Sequence, residues 1–410
     1  MHFIFTAIGS HGDINPILTV AMEMRERGHD IDFVAHAYFA EKLANAGINH
    51  VILGDMDQYQ RTVNDPDLWI PRKAFPAVWR VLRDGLEECY SAVRDRIVPG
   101  NTRLVGTTLA FGSRLVQEKL DIKMASIHLQ PSVILSACDP MVIPGLPIPA
   151  WLPLPLRKLL MDNISRRVID PVCKDDLNHF RAGLDLEPVE DILRTWCHSP
   201  DLVIGAFPDW FGRPQPDWPP NTVTTGFPLF NPGFEELSPD LSNFLDNGPP
   251  PVVLTAGSAM AHSRAFFETG VEAIKKLGER AVFVSAFKDQ LPESLPEGIF
   301  HAEYTPFGAL LPRAAAVVHH GGIGTSAQSI TAAAPQLIIP FAHDQFDNAA
   351  RLERLGIALK ADPHTPASWK RALRRLMDDP SVKQKCRKFA DKINDAPPAK
   401  KTIADHLEKL

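Results

Sequence analysis

The stretch Val317-Val318-His319-His320-Gly321-Gly322-Ile323-Gly324-Thr325-Ser326 reads as a strand that delivers two histidines into a glycine-rich turn and then directly into a helix. The helical run continues to Ala334 and stops at Pro335, which cannot extend it. Strand, tight turn and helix form the unit from which parallel sheets are assembled. Glycines let the main chain approach an anion closely, and free amides with the helix dipole favour negative charge there. His319, Gly321, Gly322, Gly324 and Thr325 are therefore the candidate diphosphate contacts. The stretch is neither a Walker loop nor the G-x-G-x-x-G dinucleotide fingerprint. A bare strand–helix turn capped by Thr325 or Ser326 is the competing structural reading.

Residues 336–339 form the next strand, followed by Pro340-Phe341-Ala342-His343-Asp344-Gln345. A carboxylate beside a carboxamide offers acceptors and a donor to neighbouring sugar hydroxyls. Asp344 could instead cap the helix that follows. Two consecutive strand ends, one suited to a diphosphate and one to a polyol, are more specific than either alone.

Outward from this pair, short apolar runs recur at 252–255, 281–284, 299–301 and 315–319. In the first half they fall at 2–8, 31–35, 50–53, 103–107, 124–128 and 202–206, with helical patterns between. Such alternation predicts an α/β protein with parallel sheets covered by helices on both faces. The Pro-rich segment 213–232 interrupts it. The expected organisation is two Rossmann-like, doubly wound domains, residues 1–225 and 239–390, with a linker at 226–238. Residues 391–410 are expected to form a helix returning to the first domain. A ligand cleft is expected at the carboxyl ends of the strands.

The 410 residues suffice for two such cores. Acidic residues exceed basic ones by six, which provides no global positive field for nucleic acid. The five cysteines, Cys89, Cys138, Cys173, Cys197 and Cys386, are scattered and form no C-x-x-C pair. They fit a reducing, cytoplasmic setting without a disulfide frame or zinc site. No signal peptide or membrane-spanning run is legible.

Two regions depart from the alternation. Residues 65–96 are helical in character and carry Trp69, Phe75 and Trp79, candidates for an apolar acceptor pocket as well as for core. Residues 139–155 hold six prolines among apolar residues, which excludes a transmembrane helix. With Arg157-Lys158 and Arg166-Arg167 beyond it, the region 139–167 is a candidate peripheral membrane contact.

After the first strand comes Gly9-Ser10-His11-Gly12-Asp13, and Asn15-Pro16 reads as an N-cap with proline at the first helical position. An alcohol is a poor nucleophile near neutral pH and needs a base. Asp13 is the candidate base, with an aspartate that merely bonds the turn as its structural alternative. His11 is a second candidate.

His319 through Gln345 resembles the donor-binding signature of family 1 glycosyltransferases, which share a two-domain fold known as GT-B. The likeness covers nearly the whole chain. Ile8-Gly9-Ser10, Gly12-Asp13, Asp65-Pro66, Leu68-Trp69, Thr225 to Phe230 and His343 to Asn348 are similar to segments of the rhamnosyltransferases of rhamnolipid biosynthesis. Sterol and antibiotic-tailoring glycosyltransferases are more distant. The resemblance implies that His319 and the 321–325 turn hold the donor diphosphate, with Gly12, Gly257 and Ser258 as further contacts. It implies that Asp344 and Gln345 bind the hexose, and that Tyr304 with Thr305 meets the nucleobase. Asp13 would be the base; relatives more often carry arginine or alanine at the His11 position, so that residue departs from the pattern.

The implied function is inverting transfer of a hexose from dTDP-L-rhamnose or UDP-glucose to an apolar hydroxylated acceptor such as a 3-hydroxy fatty acid derivative. A sterol or polyketide is the alternative acceptor. No metal or other cofactor is expected. Asp55-Met56-Asp57 imitates a manganese D-x-D site, but two carboxylates alone do not define one. A sugar-nucleotide epimerase would need no acceptor pocket, and a non-catalytic helper no base. The Trp-bearing insertions and Asp13 count against each in turn.

Overall fold

The computed structural model describes residues 1–145, 148–149, 151–230 and 236–410. Residues 231–235 of the expected linker, and Leu146, Pro147 and Ala150 of the Pro-rich segment, lie outside the described residues. The chain forms two compact units, Met1–Pro228 with Pro397–Leu410, and Leu229–Ala396.

The N-terminal unit is built on seven strands, β1 (His2–Thr6), β2 (Asp30–His36), β3 (Asn49–Leu53), β4 (Thr102–Thr107), β5 (Met124–His128), β6 (Leu202–Gly205) and β7 (Thr222–Thr224). They run parallel in the order β3-β2-β1-β4-β5-β6-β7. The C-terminal unit holds β8 (Val252–Thr255), β9 (Ala281–Val284), β10 (Ile299–Ala302), β11 (Ala316–His319), β12 (Gln336–Ile338) and β13 (Ala358–Lys360). These are parallel too, in the order β10-β9-β8-β11-β12-β13. Strands covered on both faces must be apolar throughout. β1, β5, β8, β9 and β11 are accordingly buried at every position.

Sequence patterning misses β7 and β13, each three residues at a sheet edge. An edge strand needs no long apolar run, and β7 sits in the Pro-rich stretch that reads as connection. The first helix also differs from expectation. It runs His11–Glu26 with Ser10, not Asn15, as N-cap, and Pro16 lies inside it. Pro16 removes the donor for the Gly12 carbonyl. Gly12 is exposed, so solvent can take that place.

The last helix, Ala399–Leu407, belongs to the N-terminal unit and packs on the helix His11–Glu26. Ile403, Ala404 and Leu407 are buried. Arg27 ties the end of the first helix to Asp405 at 2.7 Å and Glu408 at 2.9 Å.

Candidate functional site

In the C-terminal unit the sheet register sets His319 beside Thr255, so the turns after β8 and β11 emerge side by side at the carboxyl edge. The helix Ile323–Thr331 begins there. Its N-cap is Gly322, which has no side chain to offer the first-turn amides. Ser326 N–H reaches the Gly322 carbonyl at 3.0 Å. The amides of Ile323, Gly324 and Thr325 precede any intrahelical partner and are left to an outside acceptor. Thr325 and Ser326 do not cap the helix. Thr325 is half-buried, whereas Ser326 is fully buried.

The two histidines divide their work differently from the sequence reading. His319 is fully buried. Its Nδ1 accepts the Gly321 amide at 3.1 Å and its Nε2 donates to Gln336 Oε1 at 2.9 Å. Burial lowers its pKa to about 4, so the ring is neutral. With both nitrogens engaged it shapes the turn and has no atom to offer a diphosphate. His320 is half-buried, its ring packed against two glycines. A Cβ on Gly257 would lie 2.6 Å from the ring, and one on Gly322 would lie 2.4 Å from it. His320 Nδ1 has no partner among the described residues. Burial, with His319 as a lesser cause, lowers its pKa to about 3. Gly257 takes φ +95°, Ser258 beside it is exposed, and Gly324 faces open space.

The neighbouring turn is locked onto the cradle. Gly321 takes φ +96°, and a Cβ there would lie 3.0 Å from the Gln345 carbonyl oxygen. Asn348 Nδ2 donates to the Gly321 carbonyl at 3.0 Å and to Asp344 Oδ2 at 2.6 Å. Asp344 holds the N-cap position of the helix Gln345–Leu355 without a side-chain cap bond, so its carboxylate is steered by Asn348 instead. Gln345 is buried, and its Oε1 accepts the amides of Phe341 at 2.7 Å and Ala342 at 3.0 Å. It braces the turn rather than presenting its oxygen. His343, between them, is held at φ +58°, the kind of strain that a folded site sustains.

Tyr304 follows β10, the edge strand of this sheet, and is 67% exposed. Thr305 is buried, and its hydroxyl has no partner among the described residues.

In the N-terminal unit Asp13 sits one turn into the helix that follows β1. Its Oδ2 accepts the Ser10 amide at 2.8 Å and the Ser10 hydroxyl at 3.2 Å, completing a capping box. The structural role weighed in the sequence is therefore real, yet among the described residues it engages one carboxylate oxygen only. Gly9, at φ +139°, makes room for the carboxylate, since a Cβ there would lie 2.2 Å from Oδ2. Desolvation raises the Asp13 pKa against the opposing Ser10 hydrogen bonds, a shift toward base strength. Gly12 is exposed beside it.

His11 does not pair with Asp13. Its Nε2 meets the Tyr38 hydroxyl at 3.3 Å, and its ring stands edge-on to Tyr38 and Phe39. Burial, then Lys42, lowers its pKa to about 4. Tyr38 stacks on Tyr59 at 4.1 Å, and Tyr59 packs on His36 at 5.1 Å. Sequence reasoning missed this aromatic cluster because its members come from separate elements.

The acceptor candidates separate. Trp79 is buried, donates its indole N–H to Asp176 Oδ2 at 2.9 Å and packs on Phe111. It is core and cannot line a pocket. Phe75 packs against the same core, and Trp69 is half-buried. Asp55 of the D-x-D-like triplet caps the helix Met56–Val63, accepting the Gln58 amide at 2.8 Å.

Residues 3–132 match the family described as "Glycosyltransferase family 28 N-terminal domain". Residues 273–410 match "Erythromycin biosynthesis protein CIII-like, C-terminal domain". The chain is 31% identical over 387 residues to glycosyltransferase GtfE of Amycolatopsis orientalis, covering 89% of this chain and 87% of that protein. It is 29% identical over 386 residues to the vancomycin aglycone glucosyltransferase of the same organism, with the same coverage. The structure of the spinosyn rhamnosyltransferase SpnG complexed with thymidine diphosphate superposes with a TM-score of 0.69 at 17% identity, covering 98% of this chain and 99% of that one. With its two parallel-sheet units and their glycine-cradled strand ends, the chain belongs to the nucleotide-sugar-dependent glycosyltransferases of family 1, of the GT-B fold.

Proposed function

We propose that this chain transfers a hexose, from dTDP-L-rhamnose or UDP-glucose, to a hydroxyl of a lipid-like acceptor such as a 3-hydroxy fatty acid derivative. The observation that carries the donor half is the uncapped start of the helix Ile323–Thr331, flanked by His320 and Gly257. Its free amides and dipole suit a departing diphosphate. In this reading Asp344 orients the hexose, Gly12, Gly257, Ser258 and Thr325 contact the donor, and Tyr304 with Thr305 meets the base. His320 takes the phosphate contact that the sequence assigned to His319, which is sealed inside.

The free oxygen of Asp13 accepts the acceptor proton as that hydroxyl attacks the anomeric carbon. The nucleoside diphosphate leaves on the opposite face, so configuration inverts. Removing one preorganised donor from such a site costs about 3–4 kcal/mol, against roughly 10²–10⁴-fold for the base. One such donor and the base are thus of comparable weight, about 3–4 against roughly 3–5 kcal/mol. The cradle amides supply the charge stabilisation without a metal, and activity retained in EDTA tests that part.

A second reading, transfer to a sterol, polyketide or similar aglycone, is favoured by relatives named for a sterol and for the vancomycin aglycone. A lipid acceptor is favoured by the surface of 139–167. Among the described residues no helix is long and apolar enough to cross a membrane. Yet Trp151 is 81% exposed, and Leu156, Leu159, Leu160 and Val168 are exposed near Lys158 and Arg167. Such a surface fits peripheral contact with an anionic cytoplasmic leaflet. The decisive experiment incubates the protein with four donors, dTDP- and UDP-linked rhamnose and glucose, against a hydroxy fatty acid, a sterol and a polyketide aglycone. Nucleoside diphosphate release and the anomeric proton coupling of the product are read. Release with no acceptor-dependent product would overturn the proposal. Sedimentation with anionic vesicles tests the membrane contact.

A further inference from the structure

The helices Pro366–Asp378 and Pro380–Asn394 belong to the C-terminal unit. Each turns one apolar face inward, with Trp369, Leu373 and Leu376 buried on the first and Val382, Cys386 and Phe389 on the second. The outward faces are basic. Residues 370–392 hold nine Lys and Arg against three Asp, a net charge of +6 in a chain whose total is −6. Eight of the nine cations are exposed. Among the described residues none of the nine forms an ion pair, whereas Lys360 before them pairs with Glu353 at 3.0 Å and Lys400 after them with Glu23 at 3.1 Å. A merely solvated helix face mixes signs, so that residues four apart attract. Here Arg371 is followed four residues on by Arg375, Lys383 by Arg387 and Lys388 by Lys392. Like pairs at that spacing weaken a helix, so folding does not account for them.

The two basic faces meet at Asp379, which caps the second helix by accepting the Ser381 amide at 2.8 Å. Its carboxyl is held below its ordinary range by Ser381 first, and by Arg375 and Lys385 after it. The helices are 13 and 15 residues long, about 20 Å each. That exceeds the Debye length of ~8 Å at physiological ionic strength, so acidic residues elsewhere do not cancel this face. Among the described residues no large apolar side chain is exposed between positions 305 and 410. A protein partner would need such an anchor at the centre of its contact, and single-stranded nucleic acid an aromatic platform. A bilayer of anionic phospholipid needs neither, because its charge is spread over a plane that attracts each nearby Lys or Arg.

We propose that the basic face of these two helices docks the C-terminal unit on anionic phospholipid, by charge alone and without insertion. This surface is distinct from 139–167, which lies in the N-terminal unit and carries the exposed Trp151. The docking does not depend on the glycosyl-transfer reading, and its test needs no sugar donor.

The full chain is sedimented with phosphatidylcholine vesicles, made with and without phosphatidylglycerol. Binding should require phosphatidylglycerol and should vanish between about 0.1 M and about 1 M salt, where the Debye length falls from ~10 to ~3 Å. Arg371→Gln, Lys383→Gln, Arg387→Gln and Lys388→Gln together should weaken it roughly a hundredfold or more, at about fivefold for each cation near the surface. All four side chains are exposed, and their removal relieves like-charge repulsion, so the Tm of this variant should hold or rise. Lys383→Arg with Lys388→Arg keeps the charge and should bind as wild type. Trp151→Ser should leave the dependence on salt and on the four cations intact. Binding that survives the higher salt, ignores the four substitutions or is lost in Trp151→Ser would overturn the docking face. A DNA duplex bound more tightly than the vesicles, at equal accessible phosphate, would assign the face to nucleic acid instead. Absent glycosyl transfer with intact vesicle binding would overturn the transferase reading alone.

Discussion

Asn348 donates its side-chain amide to the main-chain oxygen of Gly321 at 3.0 Å, across 27 positions of sequence, and so ties the glycine-rich turn to the turn beside it. The same amide holds Asp344 at 2.6 Å. Replacing Asn348 by Ala should leave the Gly321 carbonyl unmatched and remove the bond by which Asn348 holds the Asp344 carboxylate. A loss of roughly 10- to 100-fold in kcat/KM for the donor follows from two such bonds, one of them to a charged group. Steady-state kinetics with wild-type values would remove the bridge from the mechanism.

Asp13 serves a helix cap and, in this proposal, a proton transfer, and the two can be separated. Asp13→Asn keeps an acceptor for Ser10, so Tm should change by no more than a few degrees while turnover falls about 10²–10⁴-fold. Donor affinity, read by calorimetry, should stay near wild type. Gly9→Ala should reproduce much of the turnover loss by displacing the carboxylate at its 2.2 Å contact. Near-normal turnover in Asp13→Asn would pass the base role to His11.

The two adjacent histidines should give opposite signatures. His320→Ala should weaken nucleoside diphosphate binding by about tenfold or more with little change in Tm. His319→Ala should lower Tm, because it opens a hole and strands the Gly321 amide and the Gln336 carboxamide. Binding titrations and thermal melts in which the pattern is reversed would restore His319 as the ligand.

Stability should fall on mild acidification. His128 and His198 are buried and joined at 2.8 Å, and burial sets the His128 pKa well below its ordinary value and that of His198 at about 4. His319 also lies at about 4. The unfolded chain protonates these rings near pH 6.5 while the folded chain refuses the proton. Their contribution is therefore complete above pH 6.5 and declines as pH drops toward 4. At pH 5 His198 and His319 each cost about 2 kcal/mol. A Tm unchanged between pH 7 and pH 5 would contradict this.

Deleting residues 397–410 should destabilise the N-terminal unit. Ile403 and Leu407 lose their burial and Arg27 loses Asp405 and Glu408. Two large apolar side chains are worth about 4 kcal/mol, or on the order of 10 °C in a unit of this size. A melt coincident with the full chain would show that the helix is dispensable.

Much of the architecture was legible because parallel strands buried on both faces must be apolar runs, and 11 of the 13 strands among the described residues announce themselves this way. The glycine-rich turn after β11 was legible for a similar reason, as a strand that passes straight into a helix needs them. Which of His319 and His320 faces outward was not. In a strand covered on both sides alternation carries no information, and only the Gln336 partner on β12 draws His319 inward. Trp79 likewise reads equally as core or pocket until Asp176, far along the chain, claims its indole. Local chemistry, namely propensity and glycine placement, is written along the chain and settled the fold and the glycine-rich turn. The assignment of each polar atom to ligand or to framework depends on neighbours from other elements, and tertiary packing alone decided it.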